Sequence, residues 1–99
     1  MIHRYFIEIS FNGSNYSGWQ IQPNANTVQQ ELNKALQYIF SNSIETIGCG
    51  RTDAGVHATK FYVHFDGDEI TDKENFISKL NHILPLDIVA HNLFLVATT

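Results

Sequence analysis

Apolar and polar residues alternate along several short segments, and this period of two predicts β-strands. The side chains that share the apolar face of two of these segments are Tyr5, Ile7, Ile9, Phe11, Phe61, Val63 and Phe65. Two further segments are short, apolar and bounded by turn residues, which is also typical of strands. The four predicted strands cover residues 4–11, 44–50, 59–66 and 87–96.

Two other segments carry apolar residues at the spacing of an α-helix. The first should begin at Thr27, which can form a capping box with Gln30, and should extend to about Ser41. The second should begin at Thr71, with Glu74 as its capping partner, and should end before a proline. The sequence therefore predicts one helix after the first strand and one before the last.

The resulting order is β-α-β-β-α-β, which predicts an α+β fold of the ferredoxin-like type. In this arrangement an antiparallel sheet carries both helices on one face. The same architecture serves RNA-binding modules, regulatory domains and enzymes, so the fold alone does not assign a function.

Composition narrows the class of protein. The chain has 99 residues, of which 43% are hydrophobic, enough for one globular core. No apolar segment approaches the ~20 residues of a membrane span, and the first residues lack the pattern of a signal peptide. We therefore expect a cytoplasmic protein that does not bind a membrane. The net charge of −4 argues against a free-standing nucleic-acid binder.

Metal and thiol chemistry have little support in the sequence. The 5 histidines are dispersed and only 1 cysteine is present, so we expect no metal site. Cys49 lies at the end of an apolar strand, which favours a buried structural thiol over a nucleophile.

The segment GCGRTDAGVHA, residues 48–58, places an arginine and an aspartate among three glycines, between two predicted strands. Arg51 could pair with Asp53 and lower the pKa of the carboxyl group, or it could contact a phosphate or a base. The alternative is an ordinary tight turn in which an Asp53 oxygen bonds the local backbone. His57 could be a general base, but a hydrogen bond within the loop is the simpler role.

Three segments resemble the tRNA pseudouridine synthase A family. GRTDAGVHA, residues 50–58, resembles the family signature, and NGSNYSGWQ, residues 12–20, resembles a second block that is followed by the Val-Gln pair of the first helix. LPLDI, residues 84–88, resembles a third block. Asn12 stands where the family usually has aspartate, a conservative change in a turn.

The resemblance implies specific roles for residues in two loops. Asp53 would be the catalytic nucleophile, and Arg51 would flip the target base and contact RNA. The residues that would support the catalytic loop are Gly50, Thr52, Gly55 and His57. A possible RNA cleft would include Tyr16, Trp19 and Gln20, although loop aromatics more often pack against the sheet, and we favour packing for Tyr16 and Trp19.

The resemblance also implies an activity, partners and an incomplete chain. The expected reaction isomerises uridine to pseudouridine in the anticodon stem-loop of tRNA, without a small-molecule cofactor or a metal. The expected partners are tRNA and, in the full-length protein, a second copy in a homodimer. Residues 1–99 would form an N-terminal catalytic domain, inactive without the C-terminal half. The alternatives are a non-catalytic RNA-binding domain and a ferredoxin-like interaction domain.

Overall fold

A computed structural model of the protein describes residues 2–98, and the elements follow the predicted order. Strand β1 is followed by a short 3₁₀ turn, helix α1, strands β2 and β3, helix α2 and strand β4. Their bounds are His3–Phe11 for β1, Gly13–Asn15 for the 3₁₀ turn, Val28–Phe40 for α1, Thr46–Gly48 for β2, Ala58–Gly67 for β3, Lys73–Ile83 for α2 and Ile88–Thr98 for β4. Neither helix within this described range has the length and apolarity that crossing a membrane requires.

The four strands form one sheet in the order β2-β3-β1-β4, and every neighbouring pair is antiparallel. In the register of the two central strands, Ile7 lies opposite Val63 on one side and opposite Leu93 of β4 on the other. This is the ferredoxin-like arrangement that the sequence predicts.

The core lies between the helices and one face of the sheet. All seven residues assigned to the apolar face of β1 and β3 are buried. The helices bury Val28, Leu32, Ala35, Leu36, Phe76 and Leu80 against them. Because both helices contribute to a single cluster, they cover the same face of the sheet, as predicted.

The predicted first residue is confirmed for α1 and wrong for α2. Thr27 is the N-cap of α1, and its hydroxyl accepts a hydrogen bond of 3.3 Å from the Gln30 N–H, as predicted. The prediction of Thr71 as the cap of α2 was wrong, because Asp72 is the N-cap and accepts from the Asn75 N–H at 3.0 Å. A carboxylate at this position satisfies an otherwise free N–H and also lies favourably in the field of the helix dipole.

Strand β2 is shorter than predicted, and the expectation of a buried cysteine was wrong. The Cys49 thiol is exposed rather than buried. The Cys49 N–H still donates to the Tyr62 carbonyl at 2.9 Å, so the extended backbone continues past Gly48. Since side chains alternate along a strand, Cys49 lies on the same outward face as the exposed Ile47.

Candidate active site

The three sequence segments that suggested a family lie together at one end of the sheet. The Asp53 loop, residues 49–57, connects β2 to β3. The Trp19 loop, residues 12–20, follows β1, and the turn at 84–88 leads into β4. Hydrogen bonds join the Trp19 loop to both of the others.

Asp53 begins a tight turn that a backbone hydrogen bond closes, and its carboxylate is exposed to solvent. Its carbonyl oxygen accepts from the Val56 N–H at 3.2 Å, and Gly55 has φ of 78° at the third position, as a type II turn requires. Asp53 is exposed, and no hydrogen bond or ion pair within residues 2–98 engages its carboxylate. The expected turn is present, but it is closed by the backbone, so the side-chain oxygens stay available to a ligand.

Arg51 is also exposed, and it does not pair with Asp53. The ion pairs of the described residues join Arg4 to Asp66 and Lys34 to Glu31. Arg51 instead lines a cleft of about 270 Å³ together with Gly50, Trp19, Gln20 and Gln29. The Arg51 guanidinium is therefore not paired with the Asp53 carboxylate. It is free to contact a phosphate or a base.

Gly50 and Thr52 shape the entry to the turn. Gly50 has φ of 148° and faces open space. The Thr52 carbonyl accepts a bond of 3.4 Å from the Trp19 N–H, which joins the two loops. The Thr52 hydroxyl is buried and has no hydrogen-bond partner among the described residues.

His57 bonds to the neighbouring loop rather than within its own. Its Nδ1 atom accepts from the Gly13 N–H at 2.9 Å. Because an accepting nitrogen carries no proton, the ring proton of the neutral imidazole is on Nε2. The prediction of a hydrogen bond within the loop was therefore wrong, since the observed bond fixes the Trp19 loop against the Asp53 loop.

Two glycines of the Trp19 loop allow this close approach, and sequence reasoning missed their purpose. A Cβ atom at Gly13 would overlap the Val56 carbonyl, and one at Gly18 would overlap the Thr52 carbonyl. Gly18 also has φ of 85°, a conformation that favours glycine. The two loops thus pack backbone against backbone.

The aromatic rings of the Trp19 loop are part of the core. Trp19 is 2% exposed and its ring lies 5.0 Å from that of Phe61, while Tyr16 is 7% exposed. These positions agree with the packing alternative and leave no ring face open to a base. Gln20 is exposed beside Arg51.

Gln29, from the Val-Gln pair of the first helix, links this loop to β2. Its amide nitrogen donates to the Thr46 carbonyl at 2.7 Å, and its amide oxygen accepts from the Ile21 N–H at 2.9 Å. The Gln29 N–H donates to the Trp19 carbonyl at 2.9 Å. The start of α1 therefore holds the Trp19 loop in place from the side of β2.

Asp87 anchors the Trp19 loop from the side of β4, a role that the sequence did not suggest. Its carboxylate accepts from the Tyr16 hydroxyl at 2.6 Å and from the Asn15 amide at 3.3 Å. Its carbonyl accepts from the Asn12 N–H at 2.9 Å. Burial, together with the hydrogen bond and the charge of Asp87, raises the pKa of Tyr16, so the phenol stays a donor. The only signal was the position of Asp87 inside the third segment.

Comparison with known proteins supports the resemblance. No family model matches the chain. It is 48% identical over 92 residues to the tRNA pseudouridine synthase A of Azobacteroides pseudotrichonymphae, an alignment that covers 93% of this chain and 37% of that protein. The same enzyme of Bacteroides thetaiotaomicron is 49% identical, with 88% of the chain and 32% of the relative covered. That of Aquifex aeolicus is 42% identical, with 85% and 35% covered.

The chain thus spans about a third of the length of the curated relatives that it matches. The identity extends over most of the 99 residues, so it includes the fold and is not confined to one motif. Over that length the chain is homologous to tRNA pseudouridine synthase A, as its three sequence segments indicated.

Proposed function

We propose that the protein to which this chain belongs is a tRNA pseudouridine synthase and that Asp53 is its catalytic nucleophile. The observation that carries the proposal is an exposed carboxylate with no partner among residues 2–98, held in a turn that a second loop braces. An unpaired carboxylate can attack a carbon or accept a proton, which are the tasks that this isomerisation requires.

The reaction converts uridine to pseudouridine in the anticodon stem-loop of tRNA. The bond between uracil N1 and ribose C1′ breaks, and a bond between uracil C5 and C1′ forms. C5 loses one proton and N1 gains one, so the reaction is balanced without an oxidant, a cofactor or a metal. Asp53 supports this exchange by adding to C6 of the uracil, by attacking C1′, or by removing a proton from the sugar.

Arg51 is the second residue that we assign to the reaction. The target base must leave its stack before it can turn, at a cost of a few kcal/mol. An exposed guanidinium two residues from the nucleophile can occupy the vacated space and hydrogen-bond to a phosphate or a base edge. Its freedom from Asp53 supports this role, because a paired arginine would have to break an ion pair first.

The proposal extends to partners and to the rest of the protein. We infer that residues 1–99 are the N-terminal domain that carries the nucleophile and that a C-terminal domain completes the tRNA site, so this chain alone is inactive. A basic cleft would then come from surfaces outside a chain whose own net charge is −4. A homodimer and a cytoplasmic location, where tRNA is found, belong to the same proposal.

The test is isomerisation of unmodified tRNA by the full-length protein. We expect Asp53→Ala to abolish pseudouridine formation while tRNA binding is retained, and Asp68→Asn, a change at another exposed carboxylate, to leave the rate unchanged. Chemical mapping of pseudouridine identifies the modified nucleotides. An active Asp53→Ala variant would refute the assignment. Binding of tRNA by a wild-type protein that forms no pseudouridine would favour the RNA-binding alternative.

A further inference from the structure

We propose that Asp87 is a positioning residue for the Asp53 loop. Its carboxylate holds the Tyr16 hydroxyl, and Tyr16 in turn holds the turn that presents Asp53. The effect on catalysis rests on the proposed function, whereas the effect on the conformation of the loop does not.

Asp87 and Tyr16 are joined by a short side-chain hydrogen bond. The phenol oxygen lies 2.6 Å from the Asp87 carboxylate, and hydrogen bonds to an ionised acceptor are the stronger ones. The Tyr16 ring is buried, so its hydroxyl would be costly to leave without an acceptor. Asp87 therefore fixes both the depth and the rotation of the Tyr16 side chain.

The backbone of Tyr16 connects this contact to the Asp53 loop. Its carbonyl accepts from the Gly55 N–H at 3.1 Å, inside the turn that begins at Asp53. Its N–H donates to the Gly13 carbonyl at 3.0 Å, and the Gly13 N–H donates to His57. A shift of Tyr16 would thus act on the Asp53 loop at two places, on either side of Val56.

Asp87 is itself held next to the sheet. Asp87 lies in a short turn in which the Ile88 N–H donates to the Pro85 carbonyl at 3.1 Å, directly before strand β4. The Asn12 N–H also bonds to the Asp87 carbonyl. Since β4 pairs with β1 from Ile88 onward, Asp87 connects the Asp53 loop, through Tyr16, to the edge of the sheet.

Four variants of the full-length protein test this role. Tyr16→Phe keeps the ring and removes only the hydroxyl, and Asp87→Ala removes the acceptor. Asp87→Asn keeps a carbonyl acceptor without the charge, and Tyr16→Phe/Asp87→Ala combines the two losses. The matched control is Tyr38→Phe, since Tyr38 is exposed on the outer side of α1.

The expected result is a lower kcat with little change in KM for tRNA. We expect Tyr16→Phe and Asp87→Ala each to lower kcat about tenfold, because small misplacements of a reacting group are costly. The double variant should be no slower than Asp87→Ala, and Asp87→Asn should recover part of the rate. A Tyr16→Phe variant as fast as Tyr38→Phe would overturn the proposal, and so would losses that multiply in the double variant.

Amide hydrogen exchange gives a readout that does not depend on activity. Faster exchange at the Gly55 N–H in Tyr16→Phe and Asp87→Ala, with the β1 amides still protected, supports the positioning role. Unchanged exchange at Gly55 overturns it. If the wild-type protein forms no pseudouridine, the proposed function fails, and the exchange measurement still decides whether Asp87 holds the loop.

Discussion

Adding one methyl group at Gly13 should separate the two loops and disable the site. A Cβ atom built there would lie closer than 3.0 Å to the Val56 backbone, whereas ordinary contacts are 3.4–4 Å. Backbone cannot rotate away as a side chain can, so the loops must move apart by on the order of 1 Å. This movement would also strain the hydrogen bond from Gly13 to His57.

Gly13→Ala should lower both the stability of the fold and the rate of the reaction. Overpacking of this kind typically destabilises a protein by about 1–3 kcal/mol. For a domain of this size, each kcal/mol lowers Tm by about 4–8 °C. A displacement of about 1 Å at a reacting group can lower a rate by about 100-fold. We therefore expect Gly13→Ala to lose several degrees in Tm and most of its pseudouridine formation.

The assay compares Gly13→Ala with Ser14→Ala, a neighbouring exposed position. Thermal unfolding followed by circular dichroism gives Tm, and single-turnover modification of tRNA by the full-length protein gives the rate of the chemical step. The reasoning would be refuted if Gly13→Ala matched Ser14→Ala in both measurements, because the loops would then not pack backbone against backbone.

Three further predictions concern stability. Trp19→Ala should cost about 3–5 kcal/mol in urea unfolding, as expected for removal of a buried large ring, and an unchanged midpoint would contradict its packing against Phe61. Because its pKa is raised in the fold, Tyr16 should contribute stability that is complete below about pH 10 and is lost as pH rises further. Urea unfolding across this range should show that loss, and Tyr16→Phe should show less of it. Asp72→Ala should cost about 1 kcal/mol by the same method and Thr71→Ala much less; the reverse order would restore Thr71 as the cap.

Periodicity was sufficient to predict β1, β3 and the two helices, whereas β2 and β4 were predicted from short apolar segments bounded by turn residues. The alternation in β1 and β3 reports which side chains face the core, because a strand presents its side chains to two faces in turn. The cap at Thr27 was predictable because the apolar stripe of α1 begins at the next residue, Val28, although the preceding Asn26 is also suited to cap. At α2 two adjacent residues, Thr71 and Asp72, are both suited to cap, and spacing alone did not separate them.

The candidate site was predictable in its residues but not in its construction. Asp53 and Arg51 were selected because GRTDAGVHA resembles a family signature, whereas their spacing among glycines is also that of an ordinary tight turn. The bonds that hold them join backbone atoms of loops far apart in sequence, such as Gly55 to Tyr16. Backbone bonds of this kind leave no side-chain pattern. The side-chain bonds of Asp87 and His57 join residues far apart in sequence, so neither the loop pairing nor these contacts were visible.

The backbone packing of the two loops limits how this chemistry can be transferred to another protein. Grafting residues 49–57 onto a different ferredoxin-like scaffold would supply the carboxylate without the carbonyls and N–H groups that hold its turn. The smallest set of segments that keeps this turn in place also includes residues 12–20 and the turn at 84–88. These segments span almost the whole chain. Transfer of the Asp53 loop to another protein therefore requires the whole domain. For the same reason, the substitutions that each of the three segments tolerates depend on the other two.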